Sequence, residues 1–260
     1  MNPKSYDFFG NIALVKFPEK FKSTEKKKFA LKLLKEQKSI KTILEKTGKV
    51  KGRLRKFSTK FIAGENTKEV LYRENGCVFR FNIDSTYFSP RLSNERKEIA
   101  DKIKKDEDVL VMFAGVAPFP VVIAKNSKAK SVTSVEINKE ASKYAKLNVE
   151  LNNLKNKLEI VQADVKKFAE RNKQKKYDVI VMARPQLKDT FLKQAFMLSK
   201  KGTRIYYYDF TKIENQDKII EKIKQEAKQY KKKIKITNIK EAGEIAPYKI
   251  RIRVDFNILS

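Results

Sequence analysis

Residues 109–125, VLVMFAGVAPFPVVIAK, join an apolar strand (Val109 to Phe113) to a turn at Ala114-Gly115 and then to a helix-like segment after Pro118. A second strand follows, Ser131 to Asn138 (SVTSVEIN), with an acid, Glu136, at its end. Strand, glycine-bearing turn, helix, strand and terminal acid make the first half of a nucleotide-type α/β fold. In such folds backbone amides approach a ligand and the acid takes ribose hydroxyls. Spacing alone leaves a ligand site and an empty crossover equally open, because many βαβ units pass a glycine near a helix start and bind nothing.

The alternation continues through helix 139–151, strand 158–161, helix 165–172, strand 178–182, helix 188–199 and strand 203–210. A lysine-rich helix over 214–230 and strands near 233–238 and 249–258 complete it. This order predicts an α/β fold: a doubly wound, mainly parallel Rossmann-like sheet ending in an antiparallel C-terminal hairpin. Residues 85–260 form that domain, opening on a helix from Leu92 to Ile103. Residues 1–84 read as a separate small α+β module. It holds a strand in YDFFGNIALVKF (6–17) after a turn at Gly10-Asn11, and two amphipathic helices within 17–48. A basic extended segment (48–57) and a hairpin turning at Glu74-Asn75-Gly76 follow.

Charge narrows the partners. Lys and Arg number 60 against 31 Asp and Glu, a formal charge of +29. Such a chain is expected to meet a polyanion, and nucleic acid is the natural candidate, although many of the lysines on helices 22–36 and 217–233 read as solvated faces. A lysine-rich thermophile surface usually carries matching glutamate, and here the glutamate does not match. A single cysteine, Cys77, excludes an internal disulfide framework, and with no histidine in the chain no protein metal site is expected. Any general base must then be a carboxylate, Lys, Tyr, Cys or water. No apolar run reaches membrane-spanning length and the N-terminus lacks a signal-peptide core, so a cytoplasmic monomer with no membrane contact is expected.

Two motifs, YFSPRLSNER (87–96) and FAGVAPF (113–119), then carry a resemblance. With the opening YDFFGNIALVKF, GENTKEVLYRENGCVFRFNI, VEIN, VMARP, IYYYDF and APYKIRIRVDF, the chain resembles the archaeal and eukaryotic tRNA guanine-37 N1-methyltransferases over nearly its whole length. The resemblance implies a class I methyltransferase domain using S-adenosylmethionine, an RNA-binding first module, and the tRNA anticodon loop at position 37 as partner. Methyl transfer to guanine N1 needs something to remove the N1 proton and something to stabilise charge on O6. The resemblance places Glu95 as the base and Arg55 beside the oxygen, a task that suits the permanently charged guanidinium. A helix N-terminal acid favoured by the dipole is the plainer reading of Glu95.

For the cofactor the resemblance implies Phe113, Ala114, Gly115 and Val116 at the methionine end. Glu136 and Ile137 fall at the ribose, and Asp164 and Val165 at the adenine. Tyr87, Arg91 and Arg96 lie around the pocket, with Ala183 in the loop after the fourth strand. Asp164 also reads as a plain helix N-cap. Pro185 would position the target base, and Lys51, Arg53, Lys56 and Lys60 would contact phosphates. This sequence departs from the family at Val111, where an acid is usual, at Ala117, where GVGPF has glycine, and at Ala183, where an asparagine helps hold the target nucleotide. The further N-terminal domain with which many members inspect tRNA shape is not expected here. Related activities stay open: methylation of C7 of the wyosine precursor imidazoguanosine, aminocarboxypropyl transfer in wyosine synthesis, or RNA binding without catalysis.

Overall fold

The computed structural model describes residue 3 and residues 5–48, 58–183 and 187–260. The chain divides into two compact units, Met1–Pro90 and Arg91–Ser260.

In the first unit, β1 (Ser5–Phe9) and β2 (Ile12–Lys16) form an antiparallel hairpin. α1 (Ser23–Glu36) then carries the chain over to β3 (Thr42–Lys46), which lies parallel to β2 and antiparallel to β4 (Thr59–Gly64). The apolar stripe of α1, including Ala30 and Leu33, closes over Ala13, Val15, Ile43 and Ala63 of the sheet. The second helix expected within 17–48 is strand β3 instead. Thr42, Ile43 and Leu44 are all buried, and parallel pairing with β2 outweighs the helix-like lysine spacing around them. Strand β4 was not anticipated either, because its pattern of exposed lysine and phenylalanine lacks a clean alternation.

β5 (Glu69–Glu74) and β6 (Cys77–Asn82) form the expected hairpin, with Asn75 and Gly76 both at positive φ as a tight two-residue turn requires. Phe88 stacks on Phe81 at 4.8 Å and leans on Tyr72, closing this hairpin's apolar face. The β1–β2 turn docks here: the Asn11 side chain accepts the Leu71 N–H at 2.7 Å and donates to the Glu69 carbonyl. Gly10 sits at φ +56°, where a Cβ would fall 1.8 Å from the Leu71 carbonyl oxygen, so only glycine fits.

The second unit opens on α2 (Ser93–Asp101) and alternates through β7 (Asp108–Met112), α3 (Pro118–Asn126), β8 (Ser131–Glu136) and α4 (Lys139–Leu151). It continues through β9 (Leu158–Gln162), α5 (Val165–Arg171), β10 (Tyr177–Met182), α6 (Leu192–Met197) and β11 (Ser199–Lys212). α7 (Gln216–Gln229), β12 (Ile234–Ala246) and β13 (Lys249–Ile258) complete it. The seven strands lie in the order β12-β13-β11-β10-β7-β8-β9. β11, β10, β7, β8 and β9 are parallel, and β13 enters antiparallel between β11 and β12. The expected doubly wound sheet and C-terminal hairpin are therefore present. α6 is shorter than the expected helix, and β11 is longer at both ends than the expected strand.

Chain direction sets where a ligand can sit. From β7 the chain steps outward to β8 and β9, then returns to β10 on the other side of β7, which leaves a crevice at the carboxyl ends of β7 and β10. β10 ends level with Tyr207, as Met182 pairs with Tyr207, and β11, β13 and β12 run on past that edge as a three-stranded extension. The side chains beyond that edge are next to the crevice.

Candidate active site

The loop leaving β7 is built on three left-handed residues, Phe113 (φ +61°), Gly115 (φ +59°) and Ala117 (φ +65°). Positive φ is unusual for a side chain as large as Phe113, and such strain persists only where surrounding contacts impose it. Here the Phe113 ring packs edge-on against Phe191 at 4.9 Å, and the Ala114 N–H donates to the Val135 carbonyl of β8 at 3.1 Å. Buried Asn148 of α4 donates to the Val116 carbonyl at 2.9 Å, and the Ala117 N–H closes the turn on the Ala114 carbonyl at 3.0 Å. The result is a turn whose Gly115 amide meets Glu136 at the end of β8.

Glu136 is held from both sides. One carboxylate oxygen accepts the Gly115 N–H at 2.8 Å and the other accepts the Asn138 N–H at 2.7 Å. A carboxylate offers about four acceptor positions, so an acid fixed in this way still suits a pair of hydroxyls. Ile137 and Asp164 come together with Ala163 and Phe168 around a cleft of about 640 Å³. Asp164 caps α5 by accepting the Lys166 N–H at 2.8 Å, while Val165 is buried in the core behind it. Thus Gly115, Glu136, Ile137 and Asp164 line the carboxyl edge of β7, β8 and β9 in sequence, as the chain order predicts.

Ala117 stands where the resembled family carries glycine, and its φ of +65° explains that preference. An L-residue there bears a steric cost of roughly 1–2 kcal/mol, partly offset by the greater unfolded-state freedom of glycine. We expect Ala117→Gly to stabilise the second unit by about 0.5–1 kcal/mol in urea unfolding; a destabilised variant would contradict the strain.

Glu95 of α2 points into a buried ionic cluster, with its side chain 7% exposed. One oxygen accepts hydrogen bonds from Arg253 at 2.6 Å and from the Tyr208 hydroxyl at 3.0 Å, and the other pairs with Lys240 at 2.7 Å. Arg253 also grips Glu98 at 2.6 Å and Asp255 at 2.7 Å, and Lys240 reaches Glu98 as well. Lys102 lies 3.3 Å from Glu98 and 3.5 Å from Asp255. Three carboxylates thus face three cations, so the cluster is neutral.

The Arg253 hydrogen bond holds the Glu98 carboxyl down at about 2, against the cost of burial. Burial works against the Arg253 charge, but the Glu98 and Asp255 carboxylates outweigh it and raise that group. Burial, then the Glu95 charge, push the Tyr208 hydroxyl well above its usual range, which keeps it a donor. Tyr208 is the first residue of β11 beyond its pairing with β10, and it pairs with Arg253 in β13, as Lys240 of β12 does. The Tyr208 ring also packs on Phe119 of α3, 5.7 Å away, and the Arg96 guanidinium lies 5.8 Å from that same ring. A continuous run of contacts therefore leads from the start of α3 to Glu95.

The other expected residues are placed less tightly. Tyr87 is half-buried and belongs to the first unit; Arg91 is exposed; Arg96 is buried beside Phe119. Lys60 is exposed on β4, at an open cleft of about 1270 Å³ that also holds Lys16, Lys20, Lys26 and Lys46. Ala183 directly follows β10 at the crevice. Lys51, Arg53, Arg55, Lys56 and Pro185 lie outside the described residues. Val111 is fully buried in the middle of β7, so it belongs to the core.

Residues 70–237 match the TRM5/TYW2 methyltransferase domain, and residues 1–67 match the TYW2 N-terminal domain. The chain belongs to the TRM5/TYW2 methyltransferase family. Among its relatives, the tRNA (guanine(37)-N(1))-methyltransferase Trm5b of Pyrococcus abyssi is 32% identical over 98% of this chain and 75% of that protein. The tRNA (guanine(37)-N(1))/4-demethylwyosine(37)-methyltransferase Taw22 of Nanoarchaeum equitans is also 32% identical, over 98% of this chain and 100% of that protein. The crystal structure of Pyrococcus abyssi Trm5b superposes with a TM-score of 0.87 at 31% identity, covering 99% of this chain and 76% of that one. The complex of aTrm5 with tRNALeu gives 0.83 at 26% identity, covering 99% and 72%. Methanocaldococcus jannaschii Trm5 in complex with adenosine gives 0.83 at 26% identity, covering 99% and 74%.

Several residues that support the candidate site escaped sequence reasoning: Asn138, Asn148, Tyr208, Lys240 and Arg253. A signal was present in IYYYDF and IRIRVDF, where charged and hydroxyl-bearing residues alternate inside otherwise core-like strands. Buried polar groups at such positions need partners, and each needs the other strand to find them.

Proposed function

We propose that this TRM5/TYW2 family member is an S-adenosylmethionine-dependent tRNA methyltransferase that modifies N1 of guanosine 37 and works as a cytoplasmic monomer. The observation that carries this reading is Glu95, a buried carboxylate at the carboxyl edge of the sheet, joined through Tyr208 and Phe119 to the helix that follows the Phe113–Ala117 loop. Among the described residues no helix is long and apolar enough to cross a membrane.

When bound, S-adenosylmethionine supplies a methyl group made electrophilic by its sulfonium. The protein's part is to bind, orient and move a proton. Phe113, Ala114, Gly115 and Val116 enclose the methionine end, with the Gly115 backbone free of a Cβ that would obstruct close approach. Glu136 accepts the ribose hydroxyls, and Ile137, Asp164 and Val165 bound the adenine cleft. For Tyr87, Arg91 and Arg96 the only support is the resemblance, which gives them places around the cofactor. Glu95 takes the proton from guanine N1, and Arg55 offsets charge on O6. Ala183 borders the cofactor and Pro185 positions the target base, which must be turned out of the anticodon loop to be reached. Lys51, Arg53, Lys56 and Lys60 contact phosphates, giving a salt-dependent affinity. Residues 1–84 serve as the RNA-binding module and 85–260 as the methyltransferase domain.

Similarity to Taw22 along that protein's full length favours a second reading, in which 4-demethylwyosine at position 37 is also a substrate. Nucleoside mass spectrometry of tRNA bearing guanosine 37, after incubation with protein and S-adenosylmethionine, tests both. A one-methyl gain on guanosine is expected, and the same assay on wyosine-precursor tRNA reads the second activity. An aminocarboxypropyl gain, or cofactor binding without product, would overturn the proposal.

A further inference from the structure

Both oxygens of Glu95 have partners. Oε2 accepts from Arg253 and Tyr208, and Oε1 faces Lys240 at 2.7 Å. Two donors fill Oε2, and Oε1 keeps one acceptor position beside the Lys240 ammonium, so a guanine reaches Glu95 only at Oε1 and in competition with Lys240.

The partners differ sharply in mobility. Arg253 has a side chain 0% exposed and is tied to three carboxylates, and Tyr208 is buried with its ring against Phe119. Neither can withdraw without opening the core. The Lys240 side chain is 40% exposed and ends a flexible four-carbon stem on β12. Among the described residues it is the one member of the Glu95 shell with solvent to move into.

We infer that Lys240 is an electrostatic latch on Glu95, opened when the phosphate backbone of the incoming RNA draws the ammonium away from Oε1. This rests on Glu95 being the base of the proposed reaction. Oε2 is then the anchored oxygen, positioned by Arg253 and Tyr208, and Oε1 is the working one.

Charge balance gives the latch a purpose. With Lys240 in place, Glu95, Glu98 and Asp255 face Arg253, Lys102 and Lys240, and the cluster is neutral. Withdrawal of Lys240 leaves one uncompensated negative charge in a poorly solvated place. Transfer of the N1 proton to Oε1, with its electron pair left on the nitrogen, cancels that charge. Arrival of RNA thus converts an ion-pair partner into a proton acceptor. Without RNA the carboxylate stays closed.

The test is single-turnover methyl transfer and RNA affinity for Lys240→Met, with Lys240→Gln as a second, polar variant in case the first folds poorly. A latch that also grips phosphate predicts opposite movements. RNA binding weakens about 3- to 10-fold, the loss of one phosphate-directed charge. The rate constant at saturating RNA rises about 2- to 10-fold, because the worth of a partly exposed ion pair no longer has to be surrendered. Lys240→Arg restores affinity. A rate that falls, or a rate and affinity that both stay put, overturns the latch. Glu95→Gln in the same assay separates the two ideas: a near-normal rate there removes the base itself, whatever Lys240 does.

Discussion

Glu95→Gln is expected to slow methyl transfer by about 100- to 10,000-fold, the usual worth of a positioned proton acceptor. Glutamine keeps the size and shape of the side chain, so it leaves the core packing of α2 against α3 in place. It cannot accept the N1 proton, and it no longer balances the charge of Arg253 and Lys240. S-adenosylmethionine affinity should change little, since the groups expected to meet the cofactor, Gly115, Glu136 and Asp164, lie at the carboxyl ends of β7, β8 and β9 or just beyond them. Rapid-quench kinetics with saturating cofactor and tRNA, beside calorimetric cofactor binding, make the check. Loss of rate with intact cofactor binding supports the base. A near-normal single-turnover rate would leave Glu95 as a purely structural ion-pair partner, and another side chain or water would have to take the proton.

Much of this arrangement could be read from order along the chain. The run from Val109 to Glu136 fixes a strand, a glycine turn, a helix and an acid, and a parallel sheet offers only one edge at which those parts can meet. Glu136 stood out for that reason, since it closes β8 and the carboxyl end of a strand has a known place; Asp164 caps α5 and came forward only through the family resemblance. The helix-or-strand choice at Thr42–Lys46 was not legible, because a short run of three buried residues suits either element until β2 provides a parallel neighbour. Lys240 and Arg253 were hidden for a different reason. Their meaning depends on an antiparallel pairing of β12 with β13, which places Lys240 opposite Arg253, and on the packing of α2 over that surface. Local spacing in a sequence holds no record of either. The departures at Ala117 and Val111 also became interpretable only with backbone angles and burial in hand: one is a left-handed turn residue, the other a core strand residue.

Arg253→Leu should be the most destabilising single change in the second unit, by about 3–5 kcal/mol at neutral pH. Leucine fits the apolar part of the space, but it strands Glu95, Glu98 and Asp255 around Lys102 and Lys240 alone. The pH dependence distinguishes this cause from a simple packing defect. In the native chain Glu98 falls from its ordinary 4.5 to about 2, so its contribution is present above about pH 4.5 and is lost as pH drops towards 2. In Arg253→Leu the main cause of that depression is gone, and carboxylates left without their cation are relieved by taking up protons. The variant's deficit should therefore narrow as pH falls from 7 to 4, while the native protein gains nothing over the same interval. Urea unfolding of both proteins at the two pH values measures it. A deficit equally large at both would mean that Arg253 stabilises by shape rather than by charge, and it would remove the ionic support on which the orientation of Glu95 depends.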